Sequence, residues 1–374
     1  MNSINDTVGK YKRLVIFGAQ GYALGAYEAV KTLYPEYDIP FFMVSSMGSN
    51  APVLAGLPVR ELSSVLKEMP PEERKSTRVL IATPENIQDE IEELLVSNGF
   101  HDNKRLDSVL WTDLMERFHA GKGKFGSLRQ LPKGIEMPSI RVFMAKSHKD
   151  KKLNRKPLLP SYVSLLQVGK ANCDEKIADI ADDTGDNISV KNGNYSELTG
   201  LYWIWKNRLC RDREQDFDCE DYFGLAQYRR MLLLSPDDVS RLGKNDVDVV
   251  LPYPLMYDPD INAHHLRYLK DADWKALLTA LEELQPEYAA AFQEILGQRY
   301  LYNYNVIIAK KQVLADYCSW LFPILERVEE LSDPKGSDRA DRYIGYMGEV
   351  LETLYFLKNT DRLNITHAEC RMYV

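Results

Sequence analysis

The feature that most constrains this sequence is the regular alternation of short apolar runs and helical patterns over its first 120 residues. Apolar runs predict strands at 13–17, 41–44 and 79–83, and the patterns between and after them predict helices. Strands that alternate with helices form parallel sheets. Residues 1–120 are therefore predicted to form a small Rossmann-like domain of the α/β class.

The glycines of this first domain do not complete a dinucleotide-binding motif. They stand at Gly18, Gly21 and Gly25, which is not the spacing GxGxxG. The second predicted strand is followed by Ser45 and Ser46, where an acidic residue would bind a ribose. The sequence therefore disfavours a dinucleotide cofactor. A regulatory or scaffolding role stays open beside a ligand site.

The composition is that of a globular chain with room for two domains. Of its 374 residues, 45% are hydrophobic and 27% are charged, which is enough to bury sizeable cores. The formal net charge of -8 argues against a general nucleic-acid binder. No apolar run approaches the roughly 20 residues of a transmembrane helix, and the five cysteines form no CxxC pair. We expect a cytoplasmic protein with reduced thiols.

A second α/β domain follows a segment rich in glycine, lysine and proline. We place this linker at 121–138 and the second domain at 139–374. Apolar runs in the second domain predict strands at 140–144, 222–226, 247–251 and 302–309. Helical patterns predict helices at 273–284, 286–296, 312–331 and 339–357, the third with Pro323 inside it.

The stretch 182–230 carries charged groups that are suited to binding a ligand. It opens with an acidic loop, defined here as Asp182, Asp183, Asp186 and Asn187. It ends, directly after the predicted strand 222–226, with Tyr228, Arg229 and Arg230. Carboxylates bind metal ions, arginines bind phosphates, and ligands of open α/β sheets bind at the carboxyl ends of strands. The alternative is a solvated turn and a pair of surface salt bridges.

The residues inside this stretch predict how its two ends are connected. Asn194 and Glu197 have the spacing of a capping box, which predicts the start of a helix that continues through Trp205. The connection 211–218 is polar and charged. Further along, the loop 257–268 is rich in polar and aromatic residues that could stack on sugar rings, or it is a structured surface loop.

A series of motifs across the second domain closely resembles one known family. The motifs are 143–148 (FMAKSH), 167–170 (QVGK), 182–189, 197–207 (ELTGLYWIWKN), 222–230 (YFGLAQYRR), 304–305 (YN), 320–325 (WLFPIL) and 342–349 (RYIGYMGE). They make residues 139–372 similar to bacterial glycosyltransferases of capsular and exopolysaccharide biosynthesis, which are related to galactofuranosyltransferases and were long described as a domain of unknown function. The first domain resembles the small Rossmann-like domains appended to polysaccharide enzymes.

The resemblance implies a fold, a reaction and partners. The fold is a GT-A-like α/β domain, and the reaction is transfer of a hexosyl unit, with galactofuranosyl as one candidate, from a UDP-sugar to a growing glycan. The acceptor is then a lipid-linked capsular or exopolysaccharide chain, which would bring the protein to the inner face of the membrane, although no amphipathic basic helix is visible to dock it.

Site residues follow for this reaction. Arg229 and Arg230 are predicted to neutralise the diphosphate, and Glu349 is the predicted base. Donor binding is predicted for the acidic loop, Tyr228 and Arg342, and acceptor binding for His264, His265 and Asn305. Because Arg342 and Glu349 stand seven residues apart on a predicted helix, they are expected to share a face and pair. The alternative for Glu349 is a surface salt bridge.

The segment 227–230, which follows the predicted strand 222–226, is informative about metal binding. GT-A enzymes commonly hold a divalent metal with an acidic motif at a strand end, whereas Gln227 to Arg230 contain no carboxylate. No metal is therefore predicted at this strand end, and Mn²⁺ or Mg²⁺ held by Asp182, Asp183 and Asp186 is the variant. The family's usual histidine is Gln227 here, and an amide does not titrate near neutral pH, which speaks against an acid–base role at this position.

Two other functions stay open at this point. One is a nucleotide-sugar oxidoreductase or epimerase that uses the first domain. The other is a non-catalytic assembly protein of a polysaccharide machine.

Overall fold

The computed structural model describes residues 13–154, 157–210, 220–336 and 339–374. The polar connection predicted at 211–218 and Cys219 lie outside the described residues, and the other four cysteines are free thiols. The described chain forms two compact units: an N-terminal unit up to Gly126 with Leu255–Pro259 and Met372–Val374, and a C-terminal unit of Ser127–Pro254 and Asp260–Arg371. The domain bounds given by the sequence stay predictions.

The strands are numbered in chain order. They are β1 (Leu14–Phe17), β2 (Phe42–Val44), β3 (Val53–Leu54), β4 (Leu57–Glu61), β5 (Arg78–Ile81), β6 (Asn103–Arg105), β7 (Ile140–Lys146), β8 (Val163–Gln167), β9 (Ile180–Ala181), β10 (Tyr222–Gln227), β11 (Arg230–Leu232), β12 (Val249–Pro252), β13 (Leu255–Met256), β14 (Tyr300–Leu301), β15 (Ile307–Lys310), β16 (Ile365–Ala368) and β17 (Cys370–Met372).

The α-helices are numbered in the same way. They are α1 (Gly21–Leu33), α2 (Leu62–Glu68), α3 (Pro71–Ser76), α4 (Gln88–Ser97), α5 (Ser108–Ala120), α6 (Asn192–Tyr195), α7 (Leu198–Ile204), α8 (Pro236–Lys244), α9 (Ile261–His264), α10 (Asp271–Leu284), α11 (Pro286–Leu296), α12 (Lys311–Leu331) and α13 (Tyr343–Lys358). A π-helical turn, Trp205–Leu209, continues α7. No helix in the described part of the chain is long and apolar enough to cross a bilayer.

The N-terminal unit is built on a six-stranded sheet whose strand order is β3-β4-β2-β1-β5-β6. All neighbours are parallel except the edge strand β3, which is antiparallel to β4. The buried apolar faces of β1, β2 and β5 form its core with α2 and α4. The α/β class predicted for this region is confirmed.

The glycines that follow β1 have structural explanations in this unit. Gly18 has a φ of +129°, and a Cβ there would lie 2.6 Å from the carbonyl oxygen of Ala82. A Cβ on Gly21 would lie 3.0 Å from the Cβ of Leu255. Only glycine allows that backbone conformation and that close approach.

The C-terminal unit is built on a mixed sheet. Its strand order is β16-β12-β15-β10-β7-β8-β9, in which β15 is antiparallel to both of its neighbours and the other pairs are parallel. α10 packs against α12 and α11 packs against α13. This unit is a mixed α/β domain, as predicted.

Two predicted elements in this unit are wrong in their bounds. The strand predicted at 302–309 is interrupted, because Tyr304 (φ +80°) and Asn305 (φ +50°) adopt left-handed backbone conformations that a strand does not tolerate. Only β15 remains of its second half. The helix predicted from 339 begins at Tyr343, because Arg342 is left-handed (φ +66°) and stands outside the helix as its N-cap.

The predicted capping box between Asn194 and Glu197 is also wrong. Ser196 has a φ of +52°, which separates the one-turn α6 from α7. Glu197 is the N-cap of α7 but makes no side-chain cap. In contrast, the capping box of α8 forms between Ser235 and Asp238.

Candidate active site

Two adjoining cavities open at the carboxyl ends of β7 and β10 in the C-terminal unit. The large cavity has a volume of about 390 Å³ and the small cavity about 160 Å³. The large cavity lies within the range of roughly 300–1,000 Å³ that is typical of small-molecule sites. Residues that line both cavities are Ser196, Glu197, Gln227, Arg229 and Arg342.

The large cavity carries more positive than negative charge. Its lining includes four cations, Lys149, Lys151, Arg229 and Arg342, and two acids, Asp150 and Glu197. The chain as a whole has a net charge of -8, so this excess of cations is local. A concave site with an excess of guanidinium and ammonium groups favours an anionic ligand.

Arg229 stands in the turn between β10 and β11. Its guanidinium lies 5.3 Å from the ring centroid of Tyr228, which also lines the large cavity. Among the residues that the structure describes, Arg229 forms no hydrogen bond or ion pair. Its donors are therefore available to a ligand, and its role in diphosphate binding stays a prediction.

Arg342 reaches the same cavities from the start of α13. Its Nε donates a hydrogen bond to Ser196 Oγ (3.1 Å), and its guanidinium lies 5.9 Å from the ring centroid of Tyr346. The predicted pairing of Arg342 with Glu349 is wrong, because the left-handed backbone of Arg342 takes it off the helix on which Glu349 stands. Arg342 is a second guanidinium without a carboxylate partner in the described part of the chain.

Glu349 lines the small cavity together with Arg229, Arg230 and Tyr346. One carboxylate oxygen accepts a hydrogen bond from Asn303 Nδ2 (3.1 Å). Burial raises the pKa of Glu349 to about 7, and the negative charge of Glu197 adds to the rise. Hydrogen bonds from the Tyr304 backbone N–H and from Asn303, and the charge of Arg230, oppose it. A carboxylate with a pKa near neutrality is suited to accept a proton from a substrate hydroxyl.

Arg230, and not the predicted Arg342, is the cation whose charge acts on Glu349 in the small cavity. It is buried at the start of β11, and its guanidinium lies 3.7 Å from the ring centroid of Tyr304. The left-handed Tyr304 uses its carbonyl oxygen to accept a hydrogen bond from Gln227 Nε2 (2.9 Å). Left-handed non-glycine residues cluster at functional sites, and this turn holds Arg230, Gln227 and Glu349 together.

Asp150 belongs to the large cavity and follows β7. Its carboxylate accepts a hydrogen bond from the backbone N–H of Ser147 (2.7 Å). Burial raises the pKa of Asp150, while this hydrogen bond and the charges of Lys146 and Arg229 act in the opposite direction.

The acidic loop has a different environment. Asp182 is fully buried and accepts hydrogen bonds from the backbone N–H groups of Gly169 (2.9 Å) and Lys170 (3.2 Å) and from the hydroxyl of Ser189. Asp183 is exposed, and Asp186 accepts a hydrogen bond from the hydroxyl of Tyr202 (3.1 Å). These bonds stabilise the local chain.

None of the acidic-loop residues lines either cavity. Asn187 bonds within its own segment, to the carbonyl of Gly185 and the N–H of Ser189. Within the described ranges, no group of three or more His, Cys, Asp or Glu side chains is placed to hold a metal ion. The role of the acidic loop in donor binding remains a prediction without a contact to these cavities.

The predicted acceptor residues fall into two groups. Asn305 is buried and donates through Nδ2 to Glu197 Oε1 (2.8 Å), so it positions another site residue. His264 and His265 do not line the cavities, and His265 stacks on Trp274 with ring centroids 4.0 Å apart. Burial and the charges of Arg267 and His265 lower the pKa of His264 to about 4, so it is neutral at pH 7.

The aromatic part of the same loop packs against a residue that lines the small cavity. Tyr268 is 48% exposed and stacks on Tyr346, with ring centroids 5.0 Å apart. His264 lies edge-on to Tyr268, with 5.4 Å between ring centroids. Because Tyr346 lines the small cavity, this aromatic pair forms part of its rim.

Sequence reasoning missed several residues of the site. Lys149, Asp150 and Lys151 follow β7, and their position after a predicted strand was a usable signal. The sequence predicts a helix cap at Glu197 instead, because the positive φ of Ser196, which directs the side chain of Glu197 towards the cavities, has no local sequence signal.

The chain matches the family model described as "Domain of unknown function (DUF4422)" over residues 141–360, more than half of its length. The chain therefore belongs to the DUF4422 family. This agrees with the predicted resemblance to a family known as a domain of unknown function.

A solved structure titled as the apo form of the WbbM bifunctional glycosyltransferase is similar to this chain. The identity is 27%, the alignment covers 63% of this chain and 45% of that chain, and the TM-score is 0.49. The chain thus spans less than half the length of that protein. No curated protein matches the chain.

Proposed function

We propose that this protein is a glycosyltransferase that moves a hexosyl unit from a UDP-sugar to a growing capsular or exopolysaccharide glycan. Galactofuranosyl is one candidate for the unit. The observation that carries the proposal is the pair of adjoining cavities, because they place guanidinium groups beside a carboxylate with a pKa near 7. The motif resemblance across residues 139–372 supports it.

The large cavity suits the diphosphate of the donor. Glycosyl transfer requires that a departing nucleoside diphosphate be stabilised while negative charge develops on it. Arg229 and Arg342 carry guanidinium groups that form no ion pair with a carboxylate in the described residues, and Lys149 and Lys151 add ammonium groups to the same lining. One guanidinium group can donate two parallel, charge-assisted hydrogen bonds to the oxygens of a phosphate.

The small cavity suits the acceptor hydroxyl. The hydroxyl must lose its proton as its oxygen bonds to the sugar carbon. Glu349 is the group that takes this proton, since its carboxylate faces the cavity and titrates near the working pH. The aromatic rim of Tyr346 and Tyr268 offers flat apolar faces on which a sugar ring of the acceptor can stack.

For a GT-A-like fold, the alternative to diphosphate binding by arginines is binding through a divalent metal. The residues present do not fit a metal held by the acidic loop, because Asp182 is buried and accepts hydrogen bonds from three donors of the chain itself, and the described residues place no group of three or more His, Cys, Asp or Glu side chains to hold a metal ion. No step of the proposed mechanism is assigned to a metal. A lipid-linked acceptor at the inner face of the membrane is part of the proposal and follows from the resemblance.

The decisive experiment is UDP release from a panel of UDP-sugars, including UDP-galactofuranose, with and without EDTA. Wild type is compared with Glu349→Gln and with Glu282→Gln, a matched change of an exposed glutamate on α10. We expect turnover in wild type and in the Glu282 variant, and a fall of about 100-fold or more in the Glu349 variant. No turnover with any donor would favour a non-catalytic assembly protein.

A further inference from the structure

Glu197 occupies the place where the two cavities meet. It lines both of them. Its Oε1 accepts hydrogen bonds from Gln227 Nε2 (3.1 Å) and Asn305 Nδ2 (2.8 Å). Its other oxygen has no hydrogen-bond partner among the described residues. The carboxylate is therefore fixed by one oxygen and leaves the other to a ligand.

The two donors that hold Glu197 belong to the framework of the site. Gln227 ends β10 and also donates to the carbonyl of Tyr304. Asn305 is buried at 2% exposure in the left-handed turn before β15. A side chain held from two elements keeps a fixed position during a reaction, which is what electrostatic catalysis needs.

Glu349 has charged and titratable neighbours on every side. Tyr346 and the buried Glu352 stand on its own helix, and Arg342 precedes that helix. Glu197 comes from the start of α7, Arg229 and Arg230 from the turn after β10, and Tyr268 from the loop before α10. Among these groups, Glu197 is the carboxylate that lines the small cavity together with Glu349.

We propose that Glu197 is a second catalytic carboxylate. Its second oxygen, which accepts no hydrogen bond from the described residues, contacts the sugar carbon that is transferred. The inference rests on the proposed function. In the reaction, the bond between that carbon and the diphosphate oxygen breaks, and its electron pair leaves with UDP. The acceptor oxygen bonds to the carbon, and its proton passes to Glu349. Positive charge develops on the carbon in between, and the negative charge of Glu197 stabilises it without forming a bond.

Glu197 also acts on the proton acceptor. Its charge is one of the causes of the raised pKa of Glu349. Removing that charge should therefore move the titration of Glu349 to lower pH. This shift reports the electrostatic effect of Glu197 on Glu349, whereas a loss of kcat in a folded variant reports its action on the transferred carbon.

The test compares Glu197→Gln with wild type in two measurements. Glutamine has nearly the same shape and keeps an oxygen that accepts from Gln227 and Asn305, so the fold is expected to survive; circular dichroism and thermal unfolding check this. In the pH–rate profile, we expect kcat to fall about 100-fold or more, and the midpoint of the acid limb to move below that of wild type. Glu282→Gln serves as the unchanged control.

The second measurement does not depend on turnover. It is the titration of Glu349 followed by NMR in protein with ¹³C-labelled glutamate, with Glu349→Gln used to assign the signal. A lower midpoint in Glu197→Gln supports the inference. If wild type turns over donor but Glu197→Gln keeps the wild-type rate or the wild-type midpoint, the inference is overturned. If wild type turns over no donor, the proposed function fails instead, and the catalytic role of Glu197 fails with it.

Discussion

The acidic loop and the paired cavities are both rich in charge, but their charges have different partners. In the acidic loop, the buried Asp182 accepts hydrogen bonds from two backbone N–H groups and a serine hydroxyl. In the cavities, Arg229 and Arg342 have no carboxylate partner in the described residues, and Glu349 has a pKa near 7. The difference teaches that a cluster of charges in sequence marks a site only if the fold leaves those charges unsatisfied.

The physical reason lies in what each set of charges does for the folded chain. A buried carboxylate that accepts several hydrogen bonds stabilises the structure around it. A charge that the chain leaves unpaired in a cavity contributes little to stability and is available to a ligand. Changes in the two regions should therefore alter different properties.

The largest effect is expected at Glu349. Replacing it with glutamine removes the proton acceptor, so kcat should fall by about 10²- to 10⁴-fold. The wild-type rate should fall as the pH drops below about 7, because protonation of Glu349 raises the fraction of inactive enzyme. The residual rate of Glu349→Gln should lack this acid limb. A mutant with a wild-type limb would show that another group is the base.

A large effect on stability, not on catalysis, is expected at Asp182. Asp182→Ala leaves two buried N–H groups and a hydroxyl unpaired, which should lower the free energy of unfolding by about 2–3 kcal/mol. Urea unfolding measures the change. Asp183→Ala, at the exposed neighbour, is the matched control and should alter stability by less than about 0.5 kcal/mol. Equal losses in the two variants would contradict the structural role of Asp182.

A smaller effect is expected at Arg342. Arg342→Ala removes one cation from the lining of both cavities, and the KM for donor should rise about 10-fold, the scale of one hydrogen bond to a charged group. Arg362→Ala, at an exposed arginine near the end of α13, should leave the KM unchanged. An unchanged KM in the Arg342 variant would place the diphosphate elsewhere.

The smallest effect is expected at the exposed end of the acidic loop. Asp183→Asn and Asp186→Asn should keep the wild-type rate within about twofold, and they should keep the wild-type response to EDTA, because neither side chain lines the cavities. The comparison breaks if either variant loses activity that added Mn²⁺ restores. That result would move the diphosphate site to a metal on the acidic loop.

Much of this fold could be predicted from local pattern. The strand at 222–226 is apolar and central, and β10 forms there with Arg229 and Arg230 at its end. The placement of Glu349 on a helix was also correct. Apolar periodicity is a local property, so the sequence carries it.

The part of the site that the sequence did not predict depends on backbone conformations that have no local sequence pattern. Ser196, Tyr304, Asn305 and Arg342 are left-handed although none is glycine. Ser196 directs the side chain of Glu197 towards the cavities. Tyr304 and Asn305 interrupt the strand predicted at 302–309, and Arg342 lies outside the helix that carries Glu349. Contacts between distant segments hold these conformations, as in the hydrogen bond from Asn305 to Glu197.

The central claim is that the cavities bind the nucleoside diphosphate and the acidic loop does not. Calorimetric titration with UDP, in the presence of EDTA, tests it in wild type, Arg229→Ala and Asp186→Asn. We predict binding to wild type, affinity lower by about 10-fold or more in the Arg229 variant, and wild-type affinity in the Asp186 variant. Affinity that is lost in Asp186→Asn and retained in Arg229→Ala would contradict the claim.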